Sequence, residues 1–502
     1  MPDTFTHTFD TPLFKGKTSF STGLYIDGKW VDGVKGTTID VVNPSTGKLI
    51  TKISAGTKED VDLAVAAAQK AFDTTWGLET PGTKRAELMN NLGNLMQKHH
   101  DELSALEALD NGKTFFWAKN VDVADSIGCI KYYAGWADKI QGKTIETTNG
   151  KLTYTRHEPI GVVGQIIPWN FPLLMMAWKI GPALATGNCI ILKPSEFTAL
   201  TAIRMAELIH EAGFPPGVVN IVTGYGSTVG QAISEHPHIE KVAFTGSTVV
   251  GRKIMAAAAQ TNLKNVTLEL GGKSPNIIFD DADIDQAVKF ASHGIFWNQG
   301  QACSAGSRIF VQETIYDKFL QKFTEKAKSL KIGDPFGVDT YQGPQVSQQQ
   351  FDRIMGYISS GKEQGATVHY GGKREGTEGY FIQPTIFTNT KPDMKIVQEE
   401  IFGPVGVVIK FKDDADVIRQ ANNSEYGLAA AVFSKNIDRA LQVSHKLKAG
   451  TAWVNCVNQV HFQVPFGGYK QSGIGRELGE YALDNYTAIK AVQINFGGFD
   501  VE

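Results

Sequence analysis

No run of apolar residues in this chain reaches the length of a bilayer crossing, so a membrane is not expected among its partners. Cysteine is scarce. Cys129, Cys189, Cys303 and Cys456 are scattered, with no CxxC pair and no His/Cys cluster, which argues against a disulfide scaffold and a metal site. Neither sign of charge dominates. The formal net charge is -3, and nothing favours nucleic acid or an anionic surface. Residues 1–15 hold no arginine and no hydrophobic stretch of the kind a secretion or transit segment needs, and the last residues carry no retention or peroxisomal address; a cytoplasmic location is expected. Repeats and low-complexity segments are missing. So is a regular dinucleotide fingerprint: Gly224 to Gly230 has one residue too many for GxGxxG, and Gly251 is followed by Arg252 and Lys253 rather than by the Lys-Ser/Thr of a P-loop.

What is present is length and alternation. With 502 residues, 42% of them hydrophobic, the chain can bury a large core in two or three domains. After short strands with turns over residues 24–57, helical periodicity covers 61–72 and 85–109. From Gly161, short apolar strands alternate with amphipathic helices: strands at 161–167, 189–192, 218–222 and 242–244, helices at 173–186, 199–212, 227–235 and 247–259. A second alternation runs from Pro275 to Val454. The expected fold class is α/β, two doubly wound domains that meet near Glu269–Lys273. Residues 151–158 and 488–496 read as strands outside both, with edges free to pair with another subunit. The expected division is 1–140 and 160–271, then 272–483, with 141–159 and 484–502 as a small β oligomerisation element.

Several segments offer chemistry, each with a plainer alternative. Cys303 lies in a Gly-rich turn, Asn298 to Ser307, and not in an apolar run like that around Cys189. A thiol on such a turn can face a pocket, where its thiolate is a strong nucleophile. Pro168-Trp169-Asn170-Phe171-Pro172 fixes the backbone around an amide that either caps a helix or donates to a developing oxyanion. Lys193-Pro194-Ser195-Glu196 ends a buried strand, where α/β sheets bind ligands; it is either a charged loop or a grip on ribose hydroxyls. Gly246-Ser247 opens a helix whose free N–H groups suit a pyrophosphate, or is an ordinary strand-to-helix turn. Glu269, before paired glycines, is either a desolvated general base or one half of a structural ion pair. Glu399-Glu400 is an acidic turn or a ribose contact. Phe171, Met175, Trp178, Trp297 and Phe466 line a tunnel or belong to the core.

Taken in order, the segments Pro168–Pro172, Lys193–Glu196, Phe244–Thr248, Leu268–Lys273, Gly300–Cys303, Glu400–Pro404 and Pro465–Gly473 resemble the aldehyde dehydrogenase superfamily, over nearly the whole chain, and most of all its broad-specificity, NAD-linked type. The resemblance implies a cofactor domain, a catalytic domain and an oligomerisation hairpin. It implies Cys303 as nucleophile, Glu269 as general base and Asn170 as oxyanion donor with the backbone N–H of Cys303. It assigns Lys193 and Glu196 to the adenosine ribose, Ser247 to the pyrophosphate and Glu400 to the nicotinamide ribose. Ile167, Trp169, Gly226, Gly230, Gly246 and Phe402 fall at further cofactor positions, and Lys179 and Glu477 at a proton relay. The implied reaction oxidises an aldehyde to a carboxylate through a thiohemiacetal and a thioester on the cysteine. NAD is favoured over NADP, since the Glu196 carboxylate repels a 2′-phosphate, and a homotetramer is the expected assembly. Ala302 and Ser304 flank the nucleophile where many relatives differ. The substrate-mouth loop, Cys456 to Val464, contains no arginine, so a pocket for a carboxylate or phosphate substituent is not expected, and His461 reads as a surface residue. Three rivals stand beside this reading. They are a CoA-acylating dehydrogenase, against which Glu269 argues, a thiol hydrolase without nucleotide, and a non-catalytic scaffold, which would not need to retain both Cys303 and Glu269.

Overall fold

A computed structural model describes residues 2–497; residues 498–502 of the expected oligomerisation segment lie outside it. Two parallel-rich sheets organise the chain. The first has eight strands in the order 473–474, 265–269, 241–245, 162–166, 189–193, 219–221, 24–26 and 29–31. Its five inner strands run parallel, and the edges are antiparallel. The second has seven, in the order 367–370, 385–388, 405–411, 308–312, 275–278, 429–433 and 451–454, parallel except at its first pair. The α/β expectation therefore holds.

The inner strands are apolar on both sides because helices cover both faces, and all five residues of 162–166, 189–193 and 241–245 are buried. In the first sheet the order of strands reverses between 162–166 and 241–245: the chain builds outward to 219–221 on one side and to 265–269 on the other. Such a switch point leaves a crevice at the carboxyl ends of the strands. The peptide after Glu269 then crosses directly to Pro275 and starts the second sheet.

The helix Pro172–Thr186 lies beneath that crevice with every residue buried. It is apolar on all sides apart from Lys179 and Thr186, as a core helix should be. Pro172 starts it and Gly187, at φ 93°, ends it in the left-handed region.

The structure departs from expectation in the N-terminal third. The helix expected over 85–109 is two, Gly82–Lys98 and His100–Asn111, broken at His99 (φ -99°, ψ 20°). Neither Gly nor Pro marks that break. Glu102, one turn on, lies 2.7 Å from His99 Nδ1 and accepts a 2.8 Å bond from the distant Arg204 Nε, which holds the break. An antiparallel hairpin, Thr4–Asp10 with Lys15–Ser21, was not expected. Nor was the run Phe115–Ala134, whose middle, Ala118–Val123, is a π-helical turn. Thr487–Asn495 pairs antiparallel with Lys151–Pro159 in a three-stranded sheet apart from the other two, and its last strand is largely exposed.

Candidate functional site

Each wall of the crevice comes from a strand end or a turn that brings one group inward. A continuous cavity of about 910 Å³ runs from Lys193, Glu196, Gly226, Gly230, Gly246 and Ser247 at one end to Cys303, Glu269, Asn170, Trp178 and Phe466 at the other. Ile167, Trp169, Glu400, Phe402, Phe171, Met175 and Trp297 line it as well. Lys179 and Glu477 do not; they lie behind the wall.

The turn that carries Cys303 is bent by three successive left-handed residues, Asn298 (φ 48°), Gln299 (φ 59°) and Gly300 (φ 71°). For Asn and Gln that conformation costs on the order of 1 kcal/mol each and persists only where the surroundings impose it. Here they do. Asn298 Nδ2 donates to the Asn170 and Gln301 carbonyls, Gln299 Nε2 to the Pro344 carbonyl, and Gln301 Oε1 accepts from Val346 N–H. At Gly300 a Cβ would lie 2.0 Å from the Gly403 carbonyl oxygen, so no side chain fits.

Asn170 donates one N–H to the Gln301 carbonyl at 3.0 Å, which fixes the amide beside the cysteine turn. Its second N–H has no protein partner among the described residues. A Cβ on Gly272 would meet the Cys303 carbonyl oxygen at 2.3 Å, and one on Gly271 would meet Glu400 Oε2 at 2.4 Å. The paired glycines after Glu269 thus let this strand end approach both the cysteine and Glu400, whose Oε1 accepts from Gly272 N–H at 2.9 Å.

Glu269 is buried, and neither carboxylate oxygen has a hydrogen-bond partner among the described residues. Burial raises its pKa well above the ordinary carboxylate value, and the charge of Glu477 adds to this, while Lys179 and Arg476 act the other way. Glu477 is held by Lys179, whose ammonium donates to Oε1 at 2.6 Å. The partial desolvation expected at Glu269 is present in full. The thiol differs from expectation. Cys303 is only half-buried, but its surroundings are poor in solvent, and burial followed by the charges of Glu269 and Glu400 pushes its pKa up. The small neighbours Ala302 and Ser304 do leave the sulfur uncovered by the turn; the desolvation comes from residues distant in sequence. A positive charge placed in the cavity would favour the thiolate.

At the other end, Lys193 is buried and within 3.3 Å of Glu196, and burial lowers its pKa. Ser247 caps the helix Thr248–Gln260, accepting from Val250 N–H, so the free N–H groups of that terminus face the cavity end. Gly226 has open space where a Cβ would stand. Thr245 Oγ1 is buried without a partner among the described residues. This set, a lysine, a carboxylate, a helix N-terminus and an open glycine, fits a dinucleotide laid along the strand ends.

Phe171, Met175 and Trp178 share one stripe of their helix by spacing and all reach the cavity. Phe171 packs on Trp297 at 5.2 Å and Trp178 on Phe466 at 5.5 Å between ring centres. The choice left open between tunnel and core resolves to both: the residues are buried, and they wall the cavity. Sequence reasoning missed Val121 and Asp125, which also line it. Their segment carries no motif, and only the folding of Ala118–Ala134 against the mouth loop brings them there. His461 is exposed, as expected.

The aldehyde dehydrogenase family profile matches residues 30–492. An aldehyde dehydrogenase of Agaricus bisporus is 71% identical over 99% of each chain, and the mitochondrial aldehyde dehydrogenase of Homo sapiens 54% identical over 95% of this chain and 92% of its own. The solved NAD+ complex of aldehyde dehydrogenase from Bacillus cereus superposes with a TM-score of 0.93 at 50% identity, covering 94% of this chain and 96% of the other. Fold, cavity and likeness along almost the whole length agree, and the chain belongs to the aldehyde dehydrogenase family of oxidoreductases.

Proposed function

We propose that this protein oxidises an aldehyde to the carboxylic acid, with NAD as the oxidant, through a covalent thioester on Cys303. One observation carries the reading. Cys303, Glu269 and Asn170 line one end of a cavity whose other end holds Lys193, Glu196 and a capped helix N-terminus. Bound NAD supplies a positive ring and accepts the two electrons and hydrogen lost by the substrate carbon. The protein does the rest. The Cys303 sulfur attacks the carbonyl carbon, and the oxygen gains charge. Asn170 Nδ2 and the backbone N–H of Cys303 hold that oxygen; one such donor lowers the barrier by about 3 kcal/mol. Once oxidised, the carbon is a thioester. Glu269, desolvated and unpartnered, takes a proton from water as the water attacks, and the thiolate leaves. The Lys179–Glu477 pair behind Glu269 carries that proton onward.

Lys193 and Glu196 bind the adenosine ribose, Ser247 and the glycines Gly226, Gly230 and Gly246 the pyrophosphate, and Glu400 the second ribose, with Ile167, Trp169 and Phe402 around the rings. Glu196 disfavours NADP. We read 1–140 and 160–271 as the nucleotide-binding part, 272–483 as the catalytic part, and 141–159 with 484–502 as the element that joins four copies. Free cysteines are consistent with a cytoplasmic location, and no helix among the described residues is long and apolar enough to cross a membrane.

The test is NADH formation from NAD and an aliphatic aldehyde. Cys303→Ala should abolish it. Glu269→Gln should leave a single-turnover burst of NADH with steady turnover reduced at least about a hundredfold, and the native enzyme's rate should not depend on added CoA. Normal steady turnover in Glu269→Gln overturns the assignment of the base.

A further inference from the structure

A buried ammonium stands behind the oxyanion amide, and the reaction above does not use it. Lys113 is 1% exposed and is not among the residues that line the cavity. It follows the helix His100–Asn111, which ends at Gly112 in the left-handed region (φ 86°). A Cβ on Gly112 would lie 2.8 Å from both Pro44 and Pro344, so glycine is what lets the chain turn inward there. The residues on either side of that glycine reach one stretch of backbone. Asn111 Nδ2 donates to the Trp169 carbonyl at 2.6 Å, and Lys113 Nζ donates to the Asn170 carbonyl at 3.0 Å. The same ammonium lies 4.3 Å from the centre of the Phe171 ring.

Asn170 lies between the strand Val162–Ile166 and the helix Pro172–Thr186, outside both. Its carbonyl is held by two side chains instead, Lys113 and Asn298, whose Nδ2 donates at 3.1 Å from the cysteine turn. The carbonyl and the side-chain amide of Asn170 hang on one Cα, and that amide has a single tie of its own, to the Gln301 carbonyl. Fixing the carbonyl therefore fixes where the second amide N–H points.

Lys113 is anchored in its turn. Its ammonium pairs with Asp122, a fully buried residue carried by the π-helical turn Ala118–Val123. The other oxygen of Asp122 has no partner among the described residues. A buried ion pair of this kind stabilises a fold no better than apolar residues of the same size, so stability does not account for it. Glu107, also buried, puts a second negative charge near Lys113 while its own oxygens accept from Leu173 N–H and Thr201 Oγ1.

We propose that Lys113, anchored by Asp122, is the positioning residue of the oxyanion site: it sets the Asn170 backbone so that the free amide N–H meets the substrate carbonyl oxygen. The proposal rests on the reading of Asn170 as the oxyanion donor. Lys113 acts through Asn170 and touches no reacting atom.

The test is steady-state NADH formation from an aliphatic aldehyde. Removing Lys113 alone would strand the charge of Asp122, so the variant is Lys113→Met with Asp122→Asn. Its kcat should fall at least about tenfold, as expected for a displaced catalytic group, with KM, NAD affinity and melting temperature near native. Asn170→Ala should fall by about a hundredfold or more. Adding Lys113→Met and Asp122→Asn to Asn170→Ala should cost no further rate, because the amide they position is gone. A purely structural role would multiply the two losses; that result, or a native kcat in Lys113→Met with Asp122→Asn, overturns the proposal. Should this pair fail to fold, Asp122→Asn alone takes its place, since it keeps the shape and withdraws the anchoring charge. The same fall in kcat, absent from the Asn170→Ala background, is then expected, and an unchanged kcat overturns the proposal. A native rate in Asn170→Ala sinks the oxyanion reading itself, whereas a loss there without one in the Lys113 and Asp122 variants sinks the positioning role alone.

Discussion

Glu269 has an unusual setting for a charged residue: two oxygens, no donor, and a second carboxylate whose charge reaches it. A base must be unprotonated to act, so turnover should rise with pH through the raised pKa of this group. Replacing Glu477 by Gln removes the repulsion that raises it. The acid limb of the kcat profile should therefore move to lower pH, and in Lys179→Met, which removes an attraction, to higher pH. A limb that stays fixed in both variants would disconnect the pair from the base. Gly272 allows a sharper test. A methyl group there must displace the Cys303 carbonyl, 2.3 Å away, and with it the sulfur. Gly272→Ala should lower kcat/KM by about a hundredfold, the cost of misplacing a reacting group by about 1 Å, with bound NAD still protecting the fold in a thermal melt. Sequence alone pointed to Cys303, Glu269 and Asn170, since their motifs are local. It did not show that the thiol is desolvated and faces two carboxylates, because the burying walls, Glu269 and Glu400 are brought from elsewhere.

At the scale of elements, the helix Ile284–Phe296 delivers the chain to the strained cysteine turn, and His293 near its end is packed between Trp117 and Trp297. Burial lowers the pKa of His293 to about 4 from 6.5. Between these values the unfolded chain binds a proton that the folded chain refuses, so stability is lost as pH falls from about 6.5 toward 4. The loss reaches about 3 kcal/mol. Melting curves from pH 7.5 to 4.5 should show it, and His293→Gln should flatten the slope over that range; an unchanged slope would refute the assignment. The periodic helices and apolar strands were legible in the sequence because both carry their burial pattern in residue order. The break at His99 and the π-helical turn at Ala118–Val123 were not. Each is held by partners that tertiary folding supplies, as Arg204 from the helix Leu200–Glu211 does for the first.

For the whole molecule, the sheet of Thr487–Asn495 and Lys151–Pro159 exposes Leu152, Ile489, Ile494 and Phe496. Apolar groups on an exposed edge strand call for a partner, and a second copy of this chain is the one proposed. Ile489→Asp with Ile494→Asp should shift the protein from tetramer to smaller species in sedimentation, and a tetramer that survives would place the interface elsewhere. The order of residues determined by itself the α/β alternation, the seven motifs and the chemistry they can support, because hydrophobic periodicity and turn residues act over a few positions. Only the tertiary structure decided that Lys179 and Glu477 stand behind Glu269 as a buried pair, and that one cavity joins Lys193 and Ser247 to the Cys303 thiol. Those are contacts between groups tens to hundreds of residues apart, and their energies exist only once burial has removed the water between them.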